Sequence, residues 1–317
     1  MAVGAGDLVV LAIGGNSLIR DQAHRSVPDQ WNLTRETCHH IAQILAAGHR
    51  VVITHGNGPQ VGFILRRSEL ASHELHEVPL DSCDADTQGA IGYMIQQSLA
   101  NEFRRRGLAR VPVSVIIQVE VDAASPALGV ASKPIGSFMD EPTARARSAA
   151  GGWPIVEDSG HGWRRAVPCP PPLRILEIEA IRELVARGFV VVAVGGGGIP
   201  VIRDAAGDPR GVEAVIDKDL ASSLLATELG ADQLVISTNV RRVCLGYGGP
   251  EERELDRLSL EDARRHLAAG EFGAGSMAPK IEAAIGFLER GGGRAVVTCP
   301  DELELAVEGR AGTRLER

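Results

Sequence analysis

Short runs rich in β-branched residues alternate with stretches of helical periodicity along almost the whole chain. Leu8 to Ile13 reads as a strand ending in Gly14-Gly15, and Arg50 to Thr54 reads as the next. Between them Gln30 to Ala47 reads as a helix, because Trp31, Thr34, Cys38, Ile41 and Leu45 fall on one face. Pro28-Asp29 punctuates its start and Gly48 its end. The same rhythm continues with a helix over Asp86 to Arg106, a strand over Pro112 to Gln118 and a helix over Glu177 to Arg187. A strand over Phe189 to Val194 then runs into four glycines, followed by a helix over Asp219 to Leu229 and a strand over Gln233 to Ser237. A helix over Lys280 to Glu289 and a strand over Arg294 to Thr298 close the series. Such β-α-β alternation predicts an α/β fold, a mostly parallel sheet with helices on both faces.

One region breaks the rhythm. Residues 119–172 hold eight prolines and the pair Gly151-Gly152, yet also Phe138, Trp153, Ile155, Val156 and Trp163. A linker would not carry that apolar set, so a small inserted, protruding subdomain is expected there. The bulk properties exclude several functions. A net charge of -8 repels nucleic acid and anionic lipid. Aromatics at 3% are too few for base-stacking platforms. No apolar stretch reaches membrane-span length, and Met1 to Asp7 places no positive charge ahead of a long apolar run, so no secretory signal is expected. Five scattered cysteines without a C-x-x-C pair argue against a disulfide framework or zinc site and for a reducing, cytoplasmic setting.

Four glycine-rich turns sit at strand ends or before a helix: Gly14-Gly15-Asn16, Gly56-Asn57-Gly58-Pro59, Gly195 to Gly198, and Gly275-Ser276-Met277. Each alone reads as a tight turn. Together, at the carboxyl ends of parallel strands, they should converge on one edge and point backbone N–H groups at an anion such as phosphate. Neither the P-loop pattern nor the dinucleotide fingerprint is present, so positive charge must come from elsewhere. The chain has only three lysines, Lys133, Lys218 and Lys280, and uses arginine for its other cations. All three lie in motif-like settings: Lys133-Pro-Ile-Gly, Asp217-Lys218-Asp219, and Met277-Ala-Pro-Lys280. Compact ammonium charges of this kind suit phosphoryl transfer, where positioning and electrostatic stabilisation carry most of the catalysis. Asp219 can either cap the helix that follows it or orient Lys218 and Lys280. His55, beside a glycine turn, is a site-adjacent candidate, and no metal-ligand spacing appears.

These motifs resemble the carbamate kinases of the amino-acid kinase superfamily. The matching stretches include Ala12-Ile-Gly-Gly-Asn16, Thr54-His-Gly-Asn-Gly-Pro-Gln-Val-Gly62, Thr87-Gln-Gly-Ala-Ile-Gly92 and Lys133-Pro-Ile-Gly136. They continue with Glu157 to Arg165, Gly195 to Pro200, Ile216 to Ser222 and Gly275 to Lys280, and so span nearly the whole chain. Related kinases of the superfamily usually carry a lysine in the first glycine turn. This chain has none there, and a lysine in the inserted lobe replaces it.

The resemblance implies a three-layer sandwich with an eight-stranded, mostly parallel sheet and a homodimer. It implies one domain over residues 1–317, with an acceptor half over 1–176 and a nucleotide-binding half over 177–317. It implies reversible transfer between ATP and carbamate, giving ADP and carbamoyl phosphate, with Mg2+ held by the nucleotide phosphates rather than by protein side chains. Gly14, Gly15, Asn16, Gly56, Asn57 and Gly58 would hold the acceptor. Lys133, Lys218, Lys280 and Asp219 would be catalytic. Gly196, Gly197, Asp217, Thr238 and Met277, with Lys218 and Lys280, would contact the nucleotide. No general base is needed, since carbamate is already an anion. The chain departs from the family pattern at Ser137, at His161 and at Arg241-Arg242, where an aspartate is typical near the nucleotide. The alternatives are a relative acting on another carboxylate or UMP, and a nucleotide-binding homologue without turnover.

Overall fold

The computed structural model describes residues 6–15, 18–19, 21, 23–158, 162–273 and 275–317. Its main sheet has eight strands in the order β15 (Arg257–Ser259), β17 (Thr313–Glu316), β16 (Arg294–Thr298), β12 (Gln233–Ser237), β1 (Leu8–Ile13), β2 (Arg50–His55), β9 (Val190–Val192) and β3 (Pro112–Ser114). Every pairing in it is parallel except β16 with β17. Strict alternation along β1 divides the interior in two. Leu8, Val10 and Ala12 enter one core, and Val9, Leu11 and Ile13 the other. The second core is covered by α1 (Val27–Ala46), α3 (Leu80–Arg106) and α9 (Leu303–Val307). The first is covered by α5 (Ile178–Ala186), α6 (Lys218–Leu229), α7 (Leu260–Ala268) and α8 (Ala278–Glu289). Helix, sheet and helix form the expected three layers.

A second sheet, β11 (Pro209–Gly211), β10 (Ile199–Arg203), β4 (Gln118–Val121) and β8 (Pro172–Ile175), stands beside the first. Here the structure corrects the single strand expected over Pro112 to Gln118, which divides between the two sheets. Gln88 on α3 is the cause. Its side chain accepts a hydrogen bond from the Ile117 N–H at 2.8 Å and donates to the Ile117 carbonyl at 3.0 Å. With both backbone groups satisfied by one amide, the chain leaves the first sheet without orphaned polar groups.

The proline-rich stretch contains a third sheet, β5 (Ala131–Met139), β7 (Trp163–Pro168) and β6 (Ile155–Glu157), with α4 (Glu141–Gly151) against it. Its flanks, β4 and β8, pair with each other in the second sheet. This three-stranded lobe rests on α2 (Gly58–Ala71), a helix outside the elements expected from the sequence. Ile135 and Val167 from the lobe, Val61 and Leu65 from α2, and Val215 share a small core. A fourth sheet is the hairpin β13 (Val243–Leu245) and β14 (Arg253–Leu255).

Two helix starts lie earlier than expected. The helix read as starting at Gln30 begins at Val27, because Ser26 and Asp29 form a reciprocal capping box and Pro28 is tolerated in the first turn. The helix read as starting at Asp86 begins at Leu80 after Pro79.

Candidate active site

The glycine turns and the three lysines meet in one cleft of about 440 Å³, between the carboxyl ends of the central strands and the lobe. Gly15, Gly56, Asn57, Gly58, Gly196 and Gly275 line it together with Lys133, Lys218, Lys280, Asp217 and Asp219. Gly14, Gly197, Thr238 and Met277 lie outside its wall. Gly14 abuts the end of β12, where an added Cβ would lie 2.8 Å from the Ser237 carbonyl oxygen. Gly197 backs onto the Ile216 carbonyl, and Met277 packs against the first core at the start of α8. Thr238 sits half-buried just past β12, its N–H bonded to the Thr298 carbonyl. Asn16 and His161 fall outside the described residues.

The charges are organised by two aspartates. Asp217 caps α6: its Oδ1 accepts from the backbone N–H of Asp219 at 2.9 Å and of Leu220 at 3.3 Å. That leaves Oδ2 to accept from Lys133 Nζ at 2.6 Å, reaching across from β5 of the lobe. Of the two readings of Asp219, the structure therefore selects the second. It does not cap the helix. Its carboxylate lies between Lys218 Nζ, on Oδ1, and Lys280 Nζ, 3.0 Å from Oδ2. Lys280 also donates to the Ser276 carbonyl at 3.1 Å. Side-chain exposure is 13% for Lys218, 14% for Lys280 and 31% for Lys133, so the lobe lysine is the one most open to an incoming ligand.

These contacts set the titration of the cluster. Burial works to raise the Asp219 carboxyl, but the charges and hydrogen bonds of Lys218 and Lys280 outweigh it and hold the group well below the usual carboxylate range. Burial lowers Lys218, and Lys280 adds to that, against the pull of Asp219. At Lys133 burial is again the largest influence, but the Asp217 charge and hydrogen bond prevail and raise the group. The cleft wall thus carries Lys133, Lys218, Lys280, Arg25 and Arg164 against Asp21, Asp158, Asp217 and Asp219, a small excess of positive charge suited to an anionic ligand.

Behind the turns lies a second tier. His55 is buried, its Nδ1 3.1 Å from the Gly56 carbonyl, and burial with Lys218 nearby pushes it down to about 4, so it is neutral near pH 7. Thr54 and Ser222 hydroxyls meet at 2.6 Å, and Ser222 donates its hydrogen to the Lys218 carbonyl, which ties the first turn of α6 to β2. Asn57 donates to Asp84 Oδ1 and Thr87 Oγ1, both at 2.8 Å. Asp84 is buried, and that burial pushes its carboxyl up to about 8, with Asp81 and Glu213 adding to the rise and the Asn57 bond opposing it. Gly196, at φ 70°, lies against this amide: an added Cβ would come within 2.1 Å of Asn57 Nδ2, so no side chain fits there.

Sequence reasoning assigned no role to Arg164, Asp84 or Thr87. Arg164 lines the cleft from β7, donates from Nε to the Gly136 carbonyl at 3.0 Å and from Nη1 to Asp158 Oδ2 at 2.8 Å, and stacks over Phe138. Its signal was available, since Arg164 falls in the Glu157 to Arg165 stretch that carries the resemblance. The arginines replacing the family's aspartate turn to protein acids: Arg241 pairs with Glu302, and Arg242 pairs with Glu254 and Asp256. Among the described residues no group of three or more His, Cys, Asp or Glu side chains could hold a metal ion. Nor is any helix of the described residues long and apolar enough to cross a membrane.

The model of the amino acid kinase family matches residues 7–299. The chain is 46% identical to the carbamate kinase of Pyrococcus furiosus, covering 98% of this chain and 99% of the relative. It is equally 46% identical to the carbamate kinase-like protein YahI of Escherichia coli, covering 98% of each. Among solved structures, carbamate kinase from Giardia lamblia bound to citric acid superimposes with a TM-score of 0.94 at 38% identity, covering 98% of this chain and 99% of that one. The same enzyme bound to AMP-PNP gives 0.89 at 38% identity over 98% and 99%. By sequence along its length and by its three-layer architecture, this chain belongs to the amino acid kinase family, among the carbamate kinases and carbamate kinase-like proteins.

Proposed function

We propose that the protein is a carbamate kinase, which transfers a phosphoryl group reversibly between ATP and carbamate to give ADP and carbamoyl phosphate. The observation that carries this reading is the convergence of all three lysines on one cleft, with Asp219 between two of them and the third supplied by the lobe. The transferring phosphoryl group spreads negative charge over its oxygens while the bonds to attacking and leaving oxygens exchange. Fixed ammonium groups stabilise that charge without reorganising. In this reading Lys133 and Lys280 neutralise the phosphoryl group and Lys218 contacts the nucleotide phosphates. Asp219 keeps Lys218 and Lys280 charged and aimed. The turns at Gly15 and at Gly56 to Gly58 hold the acceptor, with backbone N–H groups as donors. The carbamate oxygen attacks as an anion, so the buried, neutral His55 has no proton to take; it stiffens the turn instead.

The acceptor half is proposed to span residues 1–176 and the nucleotide-binding half 177–317. Magnesium enters with the nucleotide, as part of the substrate; of the acidic side chains lining the cleft, Asp217 and Asp219 are engaged by lysines and the helix cap, Asp158 by Arg164 and Asp21 by His24. It supplies charge neutralisation on the phosphates. A homodimer is also proposed. It is supported by the exposed Tyr93, Val111 and Ile116 beside β3, the last strand of the main sheet. The setting is proposed to be cytoplasmic, in keeping with five free cysteines. The deciding experiment is ATP formation from ADP and carbamoyl phosphate by the purified protein with magnesium. Rapid ATP formation supports the assignment. No ATP from that mixture, with phosphorylation of a different acid, overturns it.

A further inference from the structure

The orientation of the Asn57 side chain follows from its neighbours. Its Nδ2 lies 2.8 Å from Thr87 Oγ1 and 2.8 Å from Asp84 Oδ1. Thr87 has one hydroxyl hydrogen, and it goes to the Asp84 backbone carbonyl at 2.8 Å. With its hydrogen there, the hydroxyl accepts from Asn57, and an ionised Asp84 oxygen accepts too, so the nitrogen end of the amide faces both. Both amide hydrogens are then used inside the protein, in a buried position on α3. Asn57 lines the cleft, and Gly196 presses flat against its amide. The end of the amide left for a ligand is the carbonyl oxygen, an acceptor only.

The lysines and glycine N–H groups of the cleft are donors, and its carboxylates are engaged by Lys133, Lys218, Lys280, Arg164 and His24, so the Asn57 carbonyl oxygen is a neutral acceptor left for a ligand. It has no use for a phosphate or carboxylate oxygen. Of the groups that meet where the phosphoryl group is transferred, one suits it: the amino group of the acceptor, whose N–H bonds need a partner when it is enclosed. We propose that Asn57 Oδ1 receives the amino group of carbamate and distinguishes it from carboxylates of the same size, with Thr87 and Asp84 as positioning residues that prevent the amide from turning over. The inference rests on the carbamate kinase reading. Acetate places a methyl group where carbamate has its nitrogen, and would leave the carbonyl oxygen unpaired. A site built around such a bond rejects the analogue that lacks it.

The test compares ATP formation from ADP with carbamoyl phosphate and with acetyl phosphate, for the unaltered protein, Asn57→Leu and Thr87→Val. Leucine keeps the volume and removes the acceptor. For Asn57→Leu the ratio of kcat/KM for carbamoyl phosphate to that for acetyl phosphate should fall by about ten- to a hundredfold, the loss of one enclosed hydrogen bond. Thr87→Val keeps Asn57 but frees its amide to flip, so the same ratio should fall by a smaller factor while the fold, followed by thermal unfolding, is retained. A purely structural role would lower both rates together. Equal loss on the two acyl phosphates in both variants overturns this inference and leaves the carbamate kinase reading standing. Failure of the unaltered protein to form ATP from carbamoyl phosphate overturns both.

Discussion

An aspartate enclosed by two lysines depends on them, and they on it. Asp219 is 3% exposed, and its oxygens are divided between Lys218 and Lys280. Replacing it by asparagine leaves two ammonium groups without a counter-charge in a shielded position. Asp219→Asn should lower the unfolding free energy by about 3 kcal/mol at about pH 7 and reduce turnover at least about tenfold. The folded-state carboxyl titrates well below its unfolded value, so its contribution is present above the usual carboxylate range and is lost as pH falls from that range toward the depressed folded value. Urea unfolding across the acid range should show the two proteins converging; a gap that stays constant would refute the charge argument. Asp84 has the opposite sign. Its folded value of about 8 lies above that of the unfolded chain, so stability falls as pH rises through the interval between them. Its Oδ2 is buried with no hydrogen-bond partner, in keeping with a group poorly placed to carry charge. Asp84→Asn, which keeps an acceptor for Asn57, should gain about 1 to 3 kcal/mol relative to the unaltered protein between about pH 5 and pH 9. Unfolding curves at the two ends check it, and a difference independent of pH would exclude the buried acid as the cause. Asp217-Lys218-Asp219 was legible in the sequence because its residues adjoin one another. Asp84 was not, since its burial arises only when α3 packs beneath the Asn57 turn.

At the scale of elements, the lobe reaches the cleft through a contact between two glycines. Gly62 on α2 meets Gly136 on β5 so closely that a Cβ on Gly62 would lie 2.0 Å from the Gly136 Cα. Gly136 has a positive φ of 76° and lies in the same strand as Lys133. The depth to which Lys133 enters the cleft is thus set by the absence of side chains at this crossing. In Gly62→Ala the obstacle is backbone, which cannot rotate aside, so β5 must lift from α2. Stability should fall by about 1 to 3 kcal/mol, and turnover by about tenfold or more, with ADP affinity little changed. Calorimetry of ADP binding beside steady-state rates separates these. Lys133→Ala should show the same split in stronger form, with turnover lost far beyond nucleotide affinity; equal loss of both would contradict the placement of Lys133 on the transferring group. Periodicity revealed the strands that carry the glycine turns, because parallel strands buried on both faces read as apolar runs. It did not reveal α2, whose opening Gly-Pro-Gln-Val-Gly reads as turn, nor the handover at Gln88 that sends residues 112–121 into two sheets.

At the scale of the whole molecule, the sheet ends in two edge strands, β15 and β3. Among the described residues β3 pairs only with β9. Exposed edges of this kind pair with other chains unless they are blunted or covered. Around this edge lie Val111 and Ile116, 54% and 49% exposed, with Tyr93 of α3 at 57%, and an edge-to-face contact joins Tyr93 to Trp31 of α1. None of this could be read from the sequence, because Tyr93 and Ile116 look no different from core residues until the fold shows which way they face. A second copy of the chain, related by a two-fold axis, would cover the edge and the apolar residues on both molecules at once, which is how most homodimers close. A stable interface removes about 800 Å² per partner, so one charged residue at its centre is enough to weaken it. Ile116→Asp combined with Tyr93→Glu should convert a dimer to a monomer in light scattering. The cleft is built within one chain from β1, β2, α6, α8 and the lobe, so the monomer should keep measurable ATP formation. A dimer that survives both changes would place its interface elsewhere, and an unaltered protein that is monomeric at micromolar concentration would leave this edge without a partner of its own kind.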